Sequence, residues 1–216
     1  MRKKLISFVF VLTLALASTS YGAVIGDWEN SNLDNWSAAW EGNPVLTPGS
    51  SLGVTLNQGS LMLDWESKYW VLQYNFPTPQ VLPAGTILSW DLTAYGSDFE
   101  NWAKCADKVT INSDGTSGWK EYANATAKNR TTGDPEGLDW GSWSGTVERT
   151  YEVVLNDYDS TGATWMQIII SFQVSPEGAG HFGKVYLDNA QLIPEPATIS
   201  LLILGGLSLL RIRKRR

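Results

Sequence analysis

The residues of this sequence with the clearest chemistry are aromatic rings and amides that share one side of the same short segments. Tyr69, Gln73 and Asn75 stand at even spacing, as do Asp91 with Tyr95 and Trp165 with Gln167. Even spacing puts side chains on one face of a β-strand. An indole or phenol ring offers a flat apolar platform, and amides or carboxylates beside it pair with hydroxyl groups. The combination suits a ring-shaped polyol such as a sugar. The intervening loops add Trp102, Trp119, Trp140 and Trp143. Of these, Trp140 and Trp143 in Leu138-Asp139-Trp140-Gly141-Ser142-Trp143 are flanked by glycine and expected at the surface. The expected ligand-binding set is therefore Tyr69, Gln73, Asp91, Tyr95, Trp140, Trp143 and Trp165. Trp70 and Trp90 fall on the opposite sides of their strands and are expected in the core.

Other chemistries lack their parts. His181 is the only histidine, which excludes a His-rich metal centre and most catalytic triads. Acids are plentiful, yet no tightly spaced pair sits on one strand and no serine nucleophile is flanked by glycines. The expectation is a protein that is not an enzyme. Cys105 is the only cysteine, so no intramolecular disulfide exists. Asn156-Asp157-Tyr158-Asp159 has too few ligands for a calcium loop and reads as an acidic turn.

The elements that must hold these residues are strands. Eleven Trp, eight Tyr and twenty Gly favour pleated surfaces joined by turns. Strands are expected at 51–57, 60–66, 69–76, 86–95, 107–112, 147–155, 164–174 and 183–193, with no helix-period segment between them. Leu88, Trp90, Leu92 and Ala94 face one way, as do Leu72, Tyr74 and Phe76, and Met166, Ile168, Ile170 and Phe172. Short strands at this spacing argue for an all-β sandwich.

Charge separates the ends from the middle. The chain has 216 residues and a net charge of −6, but between Val24 and Ile193 there are 8 Lys and Arg against 21 Asp and Glu, a net of −13. Such a surface repels phosphate backbones and argues against nucleic acid. At the N-terminus, Arg2, Lys3 and Lys4 precede an apolar run, Leu5 to Ala17, and then small residues: the order of a secretory signal peptide, residues 1–23. Cleavage after Gly22 places Ser20 at the −3 position; cleavage after Ala23 places the bulkier Tyr21 there. At the C-terminus, Pro194-Glu195-Pro196 ends the folded domain, because prolines cannot join a ladder. An apolar run follows, Ala197 to Leu210, or 197–212 if Arg211 snorkels, and then a cationic cluster. That run is short of the roughly 20 residues of a comfortable membrane span.

Pro194-Glu195-Pro196, the short apolar helix and the basic end, in this order, resemble the PEP-CTERM sorting signal of exosortase-bearing Gram-negative bacteria. The resemblance covers 194–216. It implies an exosortase-type processing enzyme as partner, transient insertion in the inner membrane, and release to the cell surface or extracellular matrix. The domain, 24–193, resembles the jelly-roll carbohydrate-binding modules and related galactose-binding-like sandwiches. The opening Asp27-Trp28-Glu29, Leu33 and Asn35-Trp36 match that group's first strand, and Val185 to Leu192, with Asp188-Asn189 between apolar residues, matches its last. This implies a structural Ca2+ ion held by Glu29 and Asp188, with Asp27 as a further ligand, and an extracellular polysaccharide as the bound partner. A matrix or adhesion protein without a soluble ligand, and a polysaccharide-cleaving enzyme, remain as alternatives.

Overall fold

The computed structural model describes residues 22–29, 32–38, 45–50, 59–65, 69–95, 104–137, 146–173 and 183–194. They form thirteen strands: β1 (Ala23–Gly26), β2 (Trp36–Ala38), β3 (Val45–Ser50), β4 (Ser60–Trp65), β5 (Tyr69–Asn75), β6 (Thr86–Tyr95), β7 (Lys104–Ser113), β8 (Lys120–Tyr122), β9 (Thr126–Asn129), β10 (Pro135–Glu136), β11 (Thr146–Leu155), β12 (Met166–Gln173) and β13 (Gly183–Ile193). Two antiparallel sheets result. One runs β10-β9-β11-β6-β13-β4-β3, with β1 also paired to β13; the other runs β2-β5-β12-β7-β8. The all-β sandwich expected from the sequence is the observed architecture.

Alternation builds the core between the sheets. Leu88, Trp90, Leu92 and Ala94 of β6 and Tyr151, Val153 and Leu155 of β11 are buried on one side. Leu72 and Tyr74 of β5, Ile168, Ile170 and Phe172 of β12, and Val109 and Ile111 of β7 are buried on the other. Trp90 and Tyr151 sit directly across from each other in register and stack at 5.6 Å with their planes 7° apart. Trp28, Trp36, Tyr74 and Phe76 form a chain of ring contacts at 5.9, 5.4 and 5.0 Å, which ties the segment after β1 to the five-stranded sheet.

β13 is the central strand that changes partners. Its first half pairs with β4 and its last residues with β1, while β6 lies along its other edge. The register with β6 shifts between Asp188 and Gln191, and Asn189 has φ +52°. This is a β-bulge, with the left-handed residue supplied by an Asn, which tolerates that region. Before the bulge the inward residues are Val185 and Leu187; after it they are Ala190 and Leu192. One extra residue thus keeps both halves of the strand seated on the core.

Strands read at 60–66, 69–76, 86–95, 107–112, 147–155, 164–174 and 183–193 are present with small changes of boundary; 51–57 lies outside the described residues. The sequence reading missed β1, β2, β3, β8, β9 and β10. Most are too short to show alternation, and β3 contains Pro48-Gly49, which reads as a break. Their strand conformation is set by the neighbours they pair with. Among the described residues no helix is long and apolar enough to cross a membrane. The segments 1–21 and 195–216, with the signal peptide and most of the sorting signal, lie outside them.

Candidate functional site

The outward face of the five-stranded sheet brings amides into rows that run across its strands. Asn75 of β5, Gln167 of β12 and Asn112 of β7 are in register, and the Gln167 amide donates to Asn75 Oδ1 at 2.9 Å. Trp119, the residue before β8, continues this row, since Lys120 pairs with Ile111. A second row runs Ser37, Gln73, Ile169, Thr110 and Glu121. Ile169 is only 1% exposed although it points away from the core, and Thr110 beside it is equally covered. Gln73, Asn75, Gln167, Asn112 and Lys108 around them are half-buried. The centre of the face is thus an occluded apolar spot ringed by hydrogen-bonding groups.

Two large rings border these rows. Trp165 is 42% exposed and Trp119 is 47% exposed. Each is held. Asp114 accepts from the main-chain N–H groups of Thr164 and Trp165, at 2.7 and 3.1 Å, and from the Thr164 hydroxyl at 2.6 Å. The Thr164 hydroxyl bond, with those main-chain donors, keeps the Asp114 carboxyl below its ordinary range. Glu121 accepts from the Trp119 indole at 3.1 Å and from Lys108 Nζ at 2.8 Å, and these bonds hold its carboxyl low as well. The loops that carry both tryptophans are joined through Tyr158, whose buried hydroxyl bonds Ser113 Oγ at 2.9 Å and the Gly118 carbonyl. Asn156-Asp157-Tyr158-Asp159 is a loop clasp: Asp157 accepts from the Ala84 N–H and Asp159 from the Thr161 N–H.

Of the residues expected to bind ligand, Gln73 and Trp165 lie on this face. Tyr69 belongs to β5 and Tyr95 to β6 by backbone, but their side chains lie outside the described part, as do Trp140 and Trp143 altogether. Asp91 is elsewhere. β6 is in the eight-stranded sheet, so Asp91 faces the opposite side of the molecule from Gln73 and Trp165. There it accepts from the Thr150 hydroxyl at 2.6 Å. The outward side of β6 is also less wet than its polar residues suggested, since Ser89 and Thr93 are buried. Asn112, Thr110 and Glu121 were missed as members of the site, and Trp119 was read only as a loop ring outside the main ligand-binding set. The signal was present in Trp119 and Glu121, two apart, but a three-residue strand shows no period.

On that opposite side, Glu29 and Asp188, near the two ends of the domain, are within electrostatic reach of each other. Asp188 lies across from Asp91 in register and is 6% exposed. Burial pushes its pKa up to about 6; the Asp91 and Glu29 carboxylates push the same way, against the Asn189 N–H and Arg130. Glu29 packs against Gly59, where a Cβ would stand 2.7 Å from its Cα. Asp27 instead caps its own turn, accepting from the Glu29 N–H at 3.3 Å. Among the described residues no three Asp, Glu, His or Cys side chains converge as a metal centre. A cation here would therefore need main-chain carbonyls or water besides Glu29 and Asp188.

No protein-family model matches the sequence, and neither does any curated protein. Solved structures do resemble it. A chain from a study of promiscuous specificity in carbohydrate-binding modules of the β-sandwich superfamily superposes with TM-score 0.53 at 13% identity, over 81% of this chain and 63% of the other, less than two thirds of its length. A module specific for non-crystalline cellulose gives 0.45 at 14% identity, over 79% and 93% of the two chains. The family 11 module from Clostridium thermocellum, in complex with a mixed-linked tetrasaccharide, gives 0.42 at 15%, over 81% and 97%. The chain therefore folds as a two-sheet antiparallel sandwich of the kind found in β-sandwich carbohydrate-binding modules.

Proposed function

We propose that the outward face of the five-stranded sheet binds an uncharged polysaccharide, and that the domain is a binding module, not an enzyme. The observation that carries this reading is the pair of half-exposed, held rings, Trp119 and Trp165, bordering rows of amides. Pyranose C–H faces stack on indoles, and amides both donate to and accept from hydroxyls. The charged pair described on this face, Lys108 and Glu121, is mutually neutralised. That favours an uncharged chain over a uronic or sulfated one.

Affinity electrophoresis of the full-length protein through soluble polysaccharides tests the proposal. Retardation is expected with an uncharged polymer such as xylan, hydroxyethylcellulose or mixed-linkage glucan, and not with alginate or pectate. Trp165→Ala or Trp119→Ala should each weaken binding about tenfold or more, as for a buried aromatic anchor. Unretarded migration across the panel would leave the matrix reading, and release of reducing ends would reinstate the enzyme.

The cellular setting belongs to the same proposal. We read the chain as cargo exported by its signal peptide, tethered briefly in the inner membrane, and cut near Pro194-Glu195-Pro196 by an exosortase-type enzyme for release to the surface or matrix of a Gram-negative bacterium. It is supported by the described strand pairing, which runs from Ala23 to Ile193, the residue before the tripeptide. On the opposite side of the sandwich, a Ca2+ ion between Glu29 and Asp188 would relieve buried like charge. It would bind the middle of β13 to the segment that follows β1.

A further inference from the structure

Exposed tryptophan rings rotate freely unless something holds them, and Trp119 is held. Its indole N–H donates to Glu121 Oε1 at 3.1 Å, and the same oxygen accepts from Lys108 Nζ at 2.8 Å. We propose that Glu121 is a positioning residue for ligand binding. It fixes the plane of the Trp119 indole as the end wall of the amide rows and draws the Lys108 ammonium away from them. The inference rests on reading this face as a polysaccharide groove.

Three observations carry it. Glu121 and Trp119 are two residues apart on one face of the sheet, at the end of the rows that begin at Ser37 and Asn75. The Lys108–Glu121 pair is 40% and 47% exposed, and a pair so open to solvent contributes little to stability. Its consequence is therefore sought at the surface and not in the core. Thirdly, the two bordering tryptophans are held differently. Asp114 fastens Trp165 by its main-chain N–H, whereas Glu121 fastens Trp119 by the ring itself. A ring fixed before the ligand arrives loses less rotamer freedom on binding.

The test uses the full-length protein in mild detergent and two readouts. The Trp119 indole N–H resonance, identified by its disappearance in Trp119→Phe, should move in Glu121→Ala. It should stay close to its place in Glu121→Gln, whose amide oxygen still accepts. Affinity for the polysaccharide that retards the wild type should fall about threefold to tenfold in Glu121→Ala, the cost of ordering one ring. It should fall no further when Glu121→Ala is added to Trp119→Phe. A melting temperature within about 2 °C of wild type would show that the fold is intact. An unmoved indole resonance in Glu121→Ala overturns the positioning role. So does an undiminished loss in the Trp119→Phe background, which would mean that Glu121 touches the ligand itself. If no polysaccharide retards the wild type, the groove reading falls and takes the ligand role with it, while the indole resonance still decides whether Glu121 sets the ring.

Discussion

Asp188 is the residue whose chemistry depends most on its surroundings. A carboxyl raised to about 6 in the fold, from an ordinary value near 3.9, favours the native state when protonated. Its stabilising contribution is complete below about pH 4 and is lost as the pH rises through about 6. In chelator, the protein should therefore become more stable as the pH falls from 7 to 5, by roughly 1 kcal/mol, with the rest of the gain below pH 5. Asp188→Asn should flatten that dependence, read by urea titration at several pH values. Saturating Ca2+ should reverse the slope and raise the melting temperature at pH 7 by about 5 °C, an effect that Asp188→Ala should abolish. A melting temperature unmoved by Ca2+ or chelator would dismiss the ion. At this scale the sequence was partly legible. Glu29 and Asp188 were implied as a pair by the resemblance of the domain's first and last strands, and the structure brings them within electrostatic reach. Asp91 joins them because β6 lies beside β13, a neighbour relation that no local pattern encodes.

At the scale of elements, alternation told which face of a strand is buried but not which sheet the strand enters. β5, β6 and β12 each showed an apolar and a polar side, and all three polar sides read as one wet face. The structure separates them, because β6 pairs with β11 and β13 while β5 and β12 pair with each other. The edge was least legible of all. β9 and β10 form a short hairpin fastened to β11 by Glu136, which reaches the fully buried Arg149 at 2.6 Å and also accepts from the Asn129 amide at 3.0 Å. A buried guanidinium on the core side of a strand breaks the apolar pattern, and a carboxylate that meets it offsets the cost of its burial. Glu136→Ala should take the carboxylate away from that buried charge and cost about 3 kcal/mol in chemical denaturation, with Glu136→Gln costing less. If Glu136→Ala unfolds at the wild-type midpoint, the ion pair does not hold the hairpin.

For the whole molecule, the sorting proposal reads the acidic middle and basic ends as cargo and its address. Mass spectrometry of surface or medium fractions should find a mature chain without Ala197 to Arg216; recovery of Arg213 in exposed material would refute the sorting proposal. The two ends of the domain are also neighbours, since Ala23 pairs with Leu192 in the antiparallel ladder of β1 with β13. A molecule held by one end and tugged by the other would thus be loaded like a zipper and not like a lap joint, opening its hydrogen bonds one at a time. Were both termini anchored in a bilayer, as the export proposal has it, that geometry would let the domain sit folded on a single stalk. Sustained tension between the termini would strip β1 first and expose the Trp28 and Trp36 rings beneath it.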